Sequence, residues 1–480
     1  MPQQHLDRLS SLDVSFLTNE SATSHMHVGG ILIFEGPPPS YDDLLDHVRS
    51  RLHLVPRFRQ KLAHPPVQTG RPFWVDDPSF NLEYHVRHSA LPAPGSEEQL
   101  RNTAARVFSQ QLDRTKPLWE LWLVQGLTRK RFALVTKTHH ALVDGVSGVD
   151  IATVLFDLKP VPEPAASDDE WVPSPEPSRA TLVAKGVEDL LETPLRAARR
   201  LERTIAHPEA TIRQASEAVE GLGEVTWNFA NPAPKVPLNV EIGSHRRYIW
   251  VRSDLAKFKG VKDVLGGTVN DVVLAVVAGA LRGWLRARGI RTEGLELRAQ
   301  VPVSIRGGDE RGQLGNRLVV MRAPLPVYIE DPVRRLEVVS RAMQGLKQSK
   351  QALGAEVISR FNDFAPPTLL AQAARINFST RLFNLVVTNV PGPQVPLYML
   401  GRELEDVFPV GFLPPSQALF VAIMSYNGGV NFGLLADYDS MDDVDLIAGG
   451  IEGSILELVD VAEATRAASE REPASQPAKS

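Results

Sequence analysis

The chain predicts an α/β protein built from two globular units. Three observations carry that reading. At 480 residues it exceeds the ~250–300 residues at which a single hydrophobic core stops growing. Apolar residues switch repeatedly between a spacing of two and a spacing of three to four, so strands and helices alternate in both halves. Between the halves lies Lys159-Pro-Val-Pro-Glu-Pro and then Val172-Pro-Ser-Pro-Glu-Pro-Ser, flanking an acidic patch, a composition that resists regular structure and reads as a linker. The expected boundaries are 1–160, a connecting segment 161–235, a second unit 236–465, and a disordered polar tail 466–480.

In the first unit, Met26–Glu35 reads as a strand and Tyr41–Leu54 as a helix, with Leu44, Leu45, Val48 and Leu52 on one face. Asn81–Arg87 alternates apolar and polar, as a half-buried strand does. A helix follows over Ser96–Leu112, then strands at Glu120–Val124 and Arg131–Thr138, then a helix over Gly145–Leu158. In the connector, Val183, Val187, Leu191, Leu195, Ala198, Leu201 and Ile205 form a helical stripe with Arg196, Arg199, Arg200 and Arg203 beside it. Two readings stand for this stripe: a helix lying in a lipid interface, or one packed between the units. The second unit offers strands at Arg247–Val251, Leu297–Val303, Leu318–Ala323, Phe383–Thr388, Glu403–Val410, Ala418–Tyr426 and Val430–Ala436. Its predicted helices are Thr268–Arg288 and Met441–Val459.

Composition removes several function classes. With 52 basic and 57 acidic side chains and a net charge of −5, the chain lacks the basic excess of a nucleic-acid binder, so no nucleic-acid partner is expected. The absence of cysteine excludes disulfides, thiolate nucleophiles and Cys-based zinc sites. Met1-Pro-Gln-Gln-His-Leu-Asp7 has no basic stretch before an apolar run, and no apolar run reaches ~18 residues. A secretory signal and a membrane span are therefore not expected; a cytoplasmic protein is.

One segment carries chemistry: Thr138-His139-His140-Ala141-Leu142-Val143-Asp144-Gly145. An alcohol attacks a thioester only as its proton leaves, and a neutral imidazole titrating near pH ~6.5 suits that task. His140 is the candidate general base, delivered by the apolar strand Phe132–Thr136. His139 is assigned to orienting the loop, and Asp144 to an ion pair that holds it. Gly145 turns the chain into the next helix. The doublet lacks the one-turn spacing of a His-Glu-x-x-His zinc helix, so no metal site is expected. Gly145-Val-Ser-Gly-Val149 lacks the last Gly of a nucleophile elbow, and there is neither a phosphate loop nor a dinucleotide fingerprint.

His139-His140-x-x-x-Asp144-Gly145 resembles the signature of the CoA-dependent acyltransferase superfamily. The opening Ser10-Ser-Leu-Asp-Val-Ser-Phe16 with Met26-His-Val-Gly-Gly30 is similar to that of bacterial wax ester synthase/diacylglycerol acyltransferases. So are Pro117-Leu118-Trp119, Asn270-Asp271-Val-Val-Leu-Ala275, Val301-Pro-Val-Ser-Ile-Arg306, Gly315-Asn316 and Thr388-Asn-Val-Pro-Gly-Pro393 with Pro396-Leu-Tyr398. The blocks run in family order from about residue 9 to residue 460.

The resemblance implies two chloramphenicol-acetyltransferase-like lobes with an active-site tunnel between them, entered by acyl-CoA from one side and a hydroxyl acceptor from the other. It implies transfer of a long-chain acyl group to diacylglycerol or a long-chain alcohol, with acyl-CoA as co-substrate and no cofactor. It also implies peripheral contact with a membrane or lipid droplet. By the same resemblance His140 is the base, and Asp144 pairs with an arginine of the other lobe, for which Arg306 is the candidate. Asn270 is open between oxyanion donor and helix cap. Pro117 and Trp119 are open between packing and an acyl channel, and Asn389, Pro391 and Gly392 shape the tunnel mouth. Two other readings stand beside this one: an acyltransferase for another acceptor, glycolipid or condensation-type, and a non-catalytic lipid-droplet protein with the same fold.

Overall fold

The computed structural model describes residues 7–66, 71–142, 154–161, 171–185, 231–304, 318–348 and 379–471. The strands of the N-terminal half are β1 (Asp7–Arg8), β2 (His27–Phe34), β3 (Gln60–Ala63), β4 (Phe73–Asp76), β5 (Val86–Ala90), β6 (Trp119–Leu127) and β7 (Arg131–His139). Its helices are α1 (Ser11–Asn19), α2 (Tyr41–Arg51), α3 (Leu82–His85) and α4 (Glu97–Phe108). In the C-terminal half come β8 (Arg246–Asp254), β9 (Leu297–Ser304), β10 (Leu318–Leu325), β11 (Leu385–Pro391), β12 (Tyr398–Met399), β13 (Arg402–Val410), β14 (Leu419–Tyr426) and β15 (Gly429–Asp437). They are accompanied by α5 (Leu255–Leu265), α6 (Val269–Ala287), α7 (Pro332–Gln348) and α8 (Val444–Arg471).

Two six-stranded sheets organise these elements, in the orders β12-β13-β2-β7-β6-β5 and β10-β9-β11-β14-β15-β8, with β1-β4-β3 as a small third sheet. The first sheet is not made from the N-terminal half alone. β13 pairs antiparallel with β2, Phe408 opposite Ile31 and Val410 opposite Gly29. β13, from the 236–465 segment, thus crosses into the sheet of the N-terminal half, burying Leu404 and Phe408 where β2 would otherwise present an open edge.

The two sheets meet where β13 backs onto β15. A Cβ on Gly433 would lie 1.9 Å from Pro409 O, Tyr248 Oη donates to Pro409 O at 2.9 Å, and Asn431 Nδ2 donates to Val407 O at 3.1 Å. Glu97 of α4 reaches across the same junction, accepting from Arg252 at 2.8 and 2.9 Å and from Arg131 at 3.1 Å.

Helix α6 is the core of the C-terminal lobe, with its run from Asp271 to Ala278 buried against α7 and α8. Gly266 and Gly267, at φ +87° and +82°, turn the chain by 100° between α5 and α6; both lie in the left-handed region that favours glycine. Among the described residues no single helix is long and apolar enough to cross a membrane; the bent pair α5–α6 passes that test by length and composition only.

Three local expectations are corrected. Residues 81–87 are not one strand: Asn81 Oδ1 accepts from Glu83 N at 3.0 Å and starts the single turn α3, after which β5 begins. That capping bond competes with an extended backbone. The tail is helical as far as Arg471, because Ala-Glu-Ala-Thr-Arg-Ala-Ala is a strong helix-forming run. Finally, α1, α5 and α7 form where no helix was predicted. Of the helix expected over 145–158, residues 145–153 lie outside the described residues and the end is corrected: the helix stops at Leu155 because Asp157 forms an antiparallel bridge with Tyr398. Most of the 183–205 stripe lies outside the described residues.

Candidate active site

β7 is buried along its whole length and carries the histidine pair to its end. Its register with β2 sets His27 opposite His139. That close pairing needs Gly29, where a Cβ would lie 1.9 Å from Thr136 O. Lys137, fully buried, secures the neighbouring layer. Its ammonium donates to Val107 O at 2.9 Å and Gln110 O at 2.6 Å, capping the negative end of α4. Burial pulls this ammonium down to about 8.

His139 is enclosed. Its Nδ1 accepts from Ala141 N at 3.0 Å, so its proton sits on Nε2, which lies 3.3 Å from Glu20 Oε2. His27 Nε2 approaches the same carboxylate at 3.2 Å, and Arg114 Nε donates to it at 2.7 Å. Burial alone would raise the Glu20 carboxyl. The His139 and His27 contacts outweigh it and hold the group far below the usual carboxylate range. Burial pushes His27 down to about 3 and lowers His139 as well, so both imidazoles are neutral beside an ionised Glu20. One ring nitrogen of His139 thus accepts from the backbone of Ala141, and the other faces Glu20.

His140 differs from its neighbour in being half-buried. Its backbone N donates to Met26 O at 2.8 Å. Its ring stacks on Phe16 at 3.9 Å between centroids and 16° between planes, and meets Phe412 edge-on at 5.8 Å and 89°. Nδ1 is buried with no hydrogen-bond partner on another of the described residues. Burial pushes the imidazole down to about 4, a hydrogen bond to its own carbonyl opposing this and His139 adding to the depression. A ring in this setting is in the base form throughout the neutral range.

Asn270 is not the cap of α6. Thr268 is: its Oγ1 accepts from Asp271 N at 3.3 Å while Asp271 Oδ2 accepts from Thr268 N at 2.9 Å. Asn270 is left to pair with Asn389, whose Nδ2 donates to Asn270 Oδ1 at 3.3 Å. Two residues singled out separately in the sequence thus meet, although no hydrogen bond among the described residues links this pair to His140. Gly392, just beyond, donates to Ser425 O at 2.9 Å, and a Cβ there would lie 2.3 Å from that oxygen. Pro391 is exposed.

Trp119 belongs to the core and not to a channel. Its Nε1 donates to Phe58 O at 2.8 Å, its ring stacks on His85 at 4.7 Å, and it is 1% exposed. Pro117 is buried beside it. Asp144, Gly145 and Arg306 lie outside the described residues. Sequence reasoning missed Phe16, Glu20, His27 and Phe412. Phe16 and Glu20 stand four apart, at the spacing that puts two side chains on one helix face. That spacing was visible, but what the face would meet was not.

Two lobes of mixed sheet and helix, with a neutral histidine at the end of a buried strand near their junction, define an acyltransferase of the superfamily the sequence resembles. Residues 9–273 match the wax ester synthase/diacylglycerol acyltransferase catalytic domain and residues 314–459 the C-terminal domain of the same proteins. A probable diacylglycerol O-acyltransferase of Mycobacterium tuberculosis is 33% identical over 460 residues, covering 95% of this chain and 96% of that protein. The wax ester synthase/diacylglycerol acyltransferase of Marinobacter aquaeolei VT8 superposes with a TM-score of 0.68 at 29% identity, over 95% of this chain and 100% of that one. The starter condensation domain of rhizomide synthetase, solved with C8-CoA and Leu-SNAC, shares the fold at 14% identity and a TM-score of 0.55, over 96% and 94% of the two chains. The chain belongs to the wax ester synthase/diacylglycerol acyltransferase family and is an acyltransferase.

Proposed function

We propose that this protein transfers a long-chain acyl group from acyl-CoA to the hydroxyl of diacylglycerol, a long-chain alcohol, or both, with His140 as general base. The observation that carries the reading is the state of His140: a neutral, half-buried imidazole held between two aromatic rings at the end of a rigid strand. Nε2 accepts the hydroxyl proton as the oxygen attacks the thioester carbonyl. The C–O bond forms, the tetrahedral oxyanion collapses with cleavage of the C–S bond, and the imidazolium returns its proton to the departing CoA thiolate.

A base held near 4 is weak in the free enzyme. The negative charge that develops on the oxyanion beside it stabilises the imidazolium in the transition state, which is where the interaction accelerates the reaction. Asn270, freed from capping and tethered by Asn389, is the oxyanion donor in this scheme, and the Asp144–Arg306 pair holds the loop across the lobes. Acyl-CoA is a co-substrate and the scheme uses no metal or redox cofactor. The water-insoluble acceptor places the enzyme on the cytoplasmic surface of a membrane or lipid droplet, bound peripherally.

The test supplies labelled palmitoyl-CoA with diacylglycerol or hexadecanol to purified wild type and His140→Ala, and follows flotation with lipid vesicles in parallel. Ester from wild type and none from the folded variant supports the base. Ester from the variant at the wild-type rate removes His140 from the mechanism. The acceptor that reacts faster decides between triacylglycerol and wax ester.

A further inference from the structure

Histidine χ2 is a broad torsion with no sharp staggered minimum, so a catalytic imidazole needs something outside itself to set its plane. The usual device is a hydrogen bond to the nitrogen that does not react. For His140 that bond reaches only its own backbone carbonyl, and Nδ1 has no partner on another of the described residues. Aromatic surfaces flank the ring as well. Phe16 lies flat against the ring at 3.9 Å and 16°, and Phe412 closes the edge at 89°. Phe16 and Phe412 are themselves in edge contact at 6.1 Å and 83°, so the three rings brace one another.

Phe16 is held by more than its own packing. α1 starts in a capping box between Ser10 and Asp13, and its end is pinned where Glu20 N donates to Phe16 O at 3.1 Å. Glu20 side-chain contacts to His139 and Arg114 fix the same turn.

We infer that Phe16 is a positioning residue for acyl transfer: its ring face sets the plane of His140, and so the direction of the Nε2 lone pair, where no other described residue hydrogen-bonds the ring. The inference rests on His140 being the base. The lone pair lies in the ring plane, so a rotation about χ2 swings it away from the acceptor hydroxyl. Phe412 limits that swing from the side, its plane at 89° to the imidazole.

The experiment compares wild type, Phe16→Leu, Phe16→Met, Phe16→Tyr and His140→Ala in the palmitoyl-CoA assay, with kcat and KM determined on protein shown to be folded by circular dichroism. Leu and Met keep an apolar side chain of similar bulk but have no flat face, and either serves if the other fails to fold. The expected result is a kcat about 10- to 100-fold lower in Phe16→Leu and Phe16→Met, the scale set by a misplaced reacting group. KM should stay within about two-fold, and Phe16→Tyr should recover most of kcat. A merely structural Phe16 would lower the yield or the melting temperature and leave kcat per folded molecule unchanged. Should Phe16→Leu and Phe16→Met keep kcat within about two-fold while His140→Ala is inactive, the positioning role is overturned and the base stands. An active His140→Ala overturns both.

Discussion

Acid should unfold this protein before it protonates His140. Burial is the first cause of depression in His27, His85 and His140, which are held at about 3, 4 and 4, whereas an unfolded histidine titrates near ~6.5. A depressed folded value means that the stability these groups confer is complete above ~6.5 and drains away as pH falls towards the folded values. Between pH 7 and pH 5 each unfolded-state imidazole takes up a proton that its folded counterpart refuses, a loss of about 2 kcal/mol per group and about 6 kcal/mol for the three. That is comparable with the whole ~5–15 kcal/mol by which folded proteins are stable. His25, His47 and His139 are depressed in the same direction by burial and add to the slope. Glu20 acts in a separate window, its contribution present above ~4.3 and lost only below it. For a chain of 480 residues the melting entropy is about 1 kcal/mol/K, so about 6 kcal/mol corresponds to a fall of about 6 °C in Tm. Scanning calorimetry at pH 7, 6 and 5, beside kcat/KM at the same pH values, reads both effects. The acid limb of activity should track unfolding. A Tm constant to within about 1 °C over this range, or an activity limb near 6.5 in protein that is still folded, would refute the claim that these histidines are kept neutral by burial.

Glu20→Gln keeps the shape and removes the charge that Arg114, His27 and His139 face. We expect a loss of about 2–3 kcal/mol in urea titration, at the low end for a broken buried pair because Arg114 is 40% exposed on its side chain and can rehydrate, together with a kcat reduced about 10-fold. Gly411→Ala places a Cβ 2.2 Å from the Phe420 ring, which must displace Phe420 and the adjacent Phe412. Crystallography should show the Phe412 ring moved, and kcat should fall with it. Thr268→Ala removes the cap of α6 at a cost of about 1 kcal/mol with kcat unchanged, whereas Asn270→Ala should cut kcat about 10²–10³-fold with little change in Tm. The opposite pattern would return Asn270 to a structural role.

The strands and the long helices were legible because their apolar periods are clean: β7 from Phe132 to Thr136, and α6 from Val272 to Leu285. The histidine pair was legible because strand and doublet are contiguous. What surrounds it was not. His27 joins His139 only through the register of β2 on β7, a pairing more than 100 residues apart in the chain. Nothing in the sequence singles out Glu20, yet its side chain is 3% exposed and at the centre of the cluster. The alternation over 81–87 misled because an Asn cap can stop a strand that hydrophobicity alone would permit. The crossing of β13 into the first sheet leaves no trace in its own sequence, since Arg402–Val410 would read the same as a strand of either lobe.

That crossing explains why the site needs the whole chain. β13 covers the edge of β2, and the backbone that leaves it delivers Gly411 and Phe412 directly to the His140 ring. Ser24 Oγ then donates to Leu413 O at 2.7 Å, tying this returning segment to the turn between α1 and β2. His140 is thus held by one element that precedes it by more than a hundred residues and another that follows it by more than two hundred. Phe412 rests in turn on Phe420, at 5.5 Å between ring centroids, and Phe420 opens β14, the strand beside β11 that carries Asn389. A continuous path of packed side chains and paired backbone therefore runs from the base to the Asn270–Asn389 pair. Any shift of one lobe against the other would therefore change the support of His140 and the placement of the candidate oxyanion donor together.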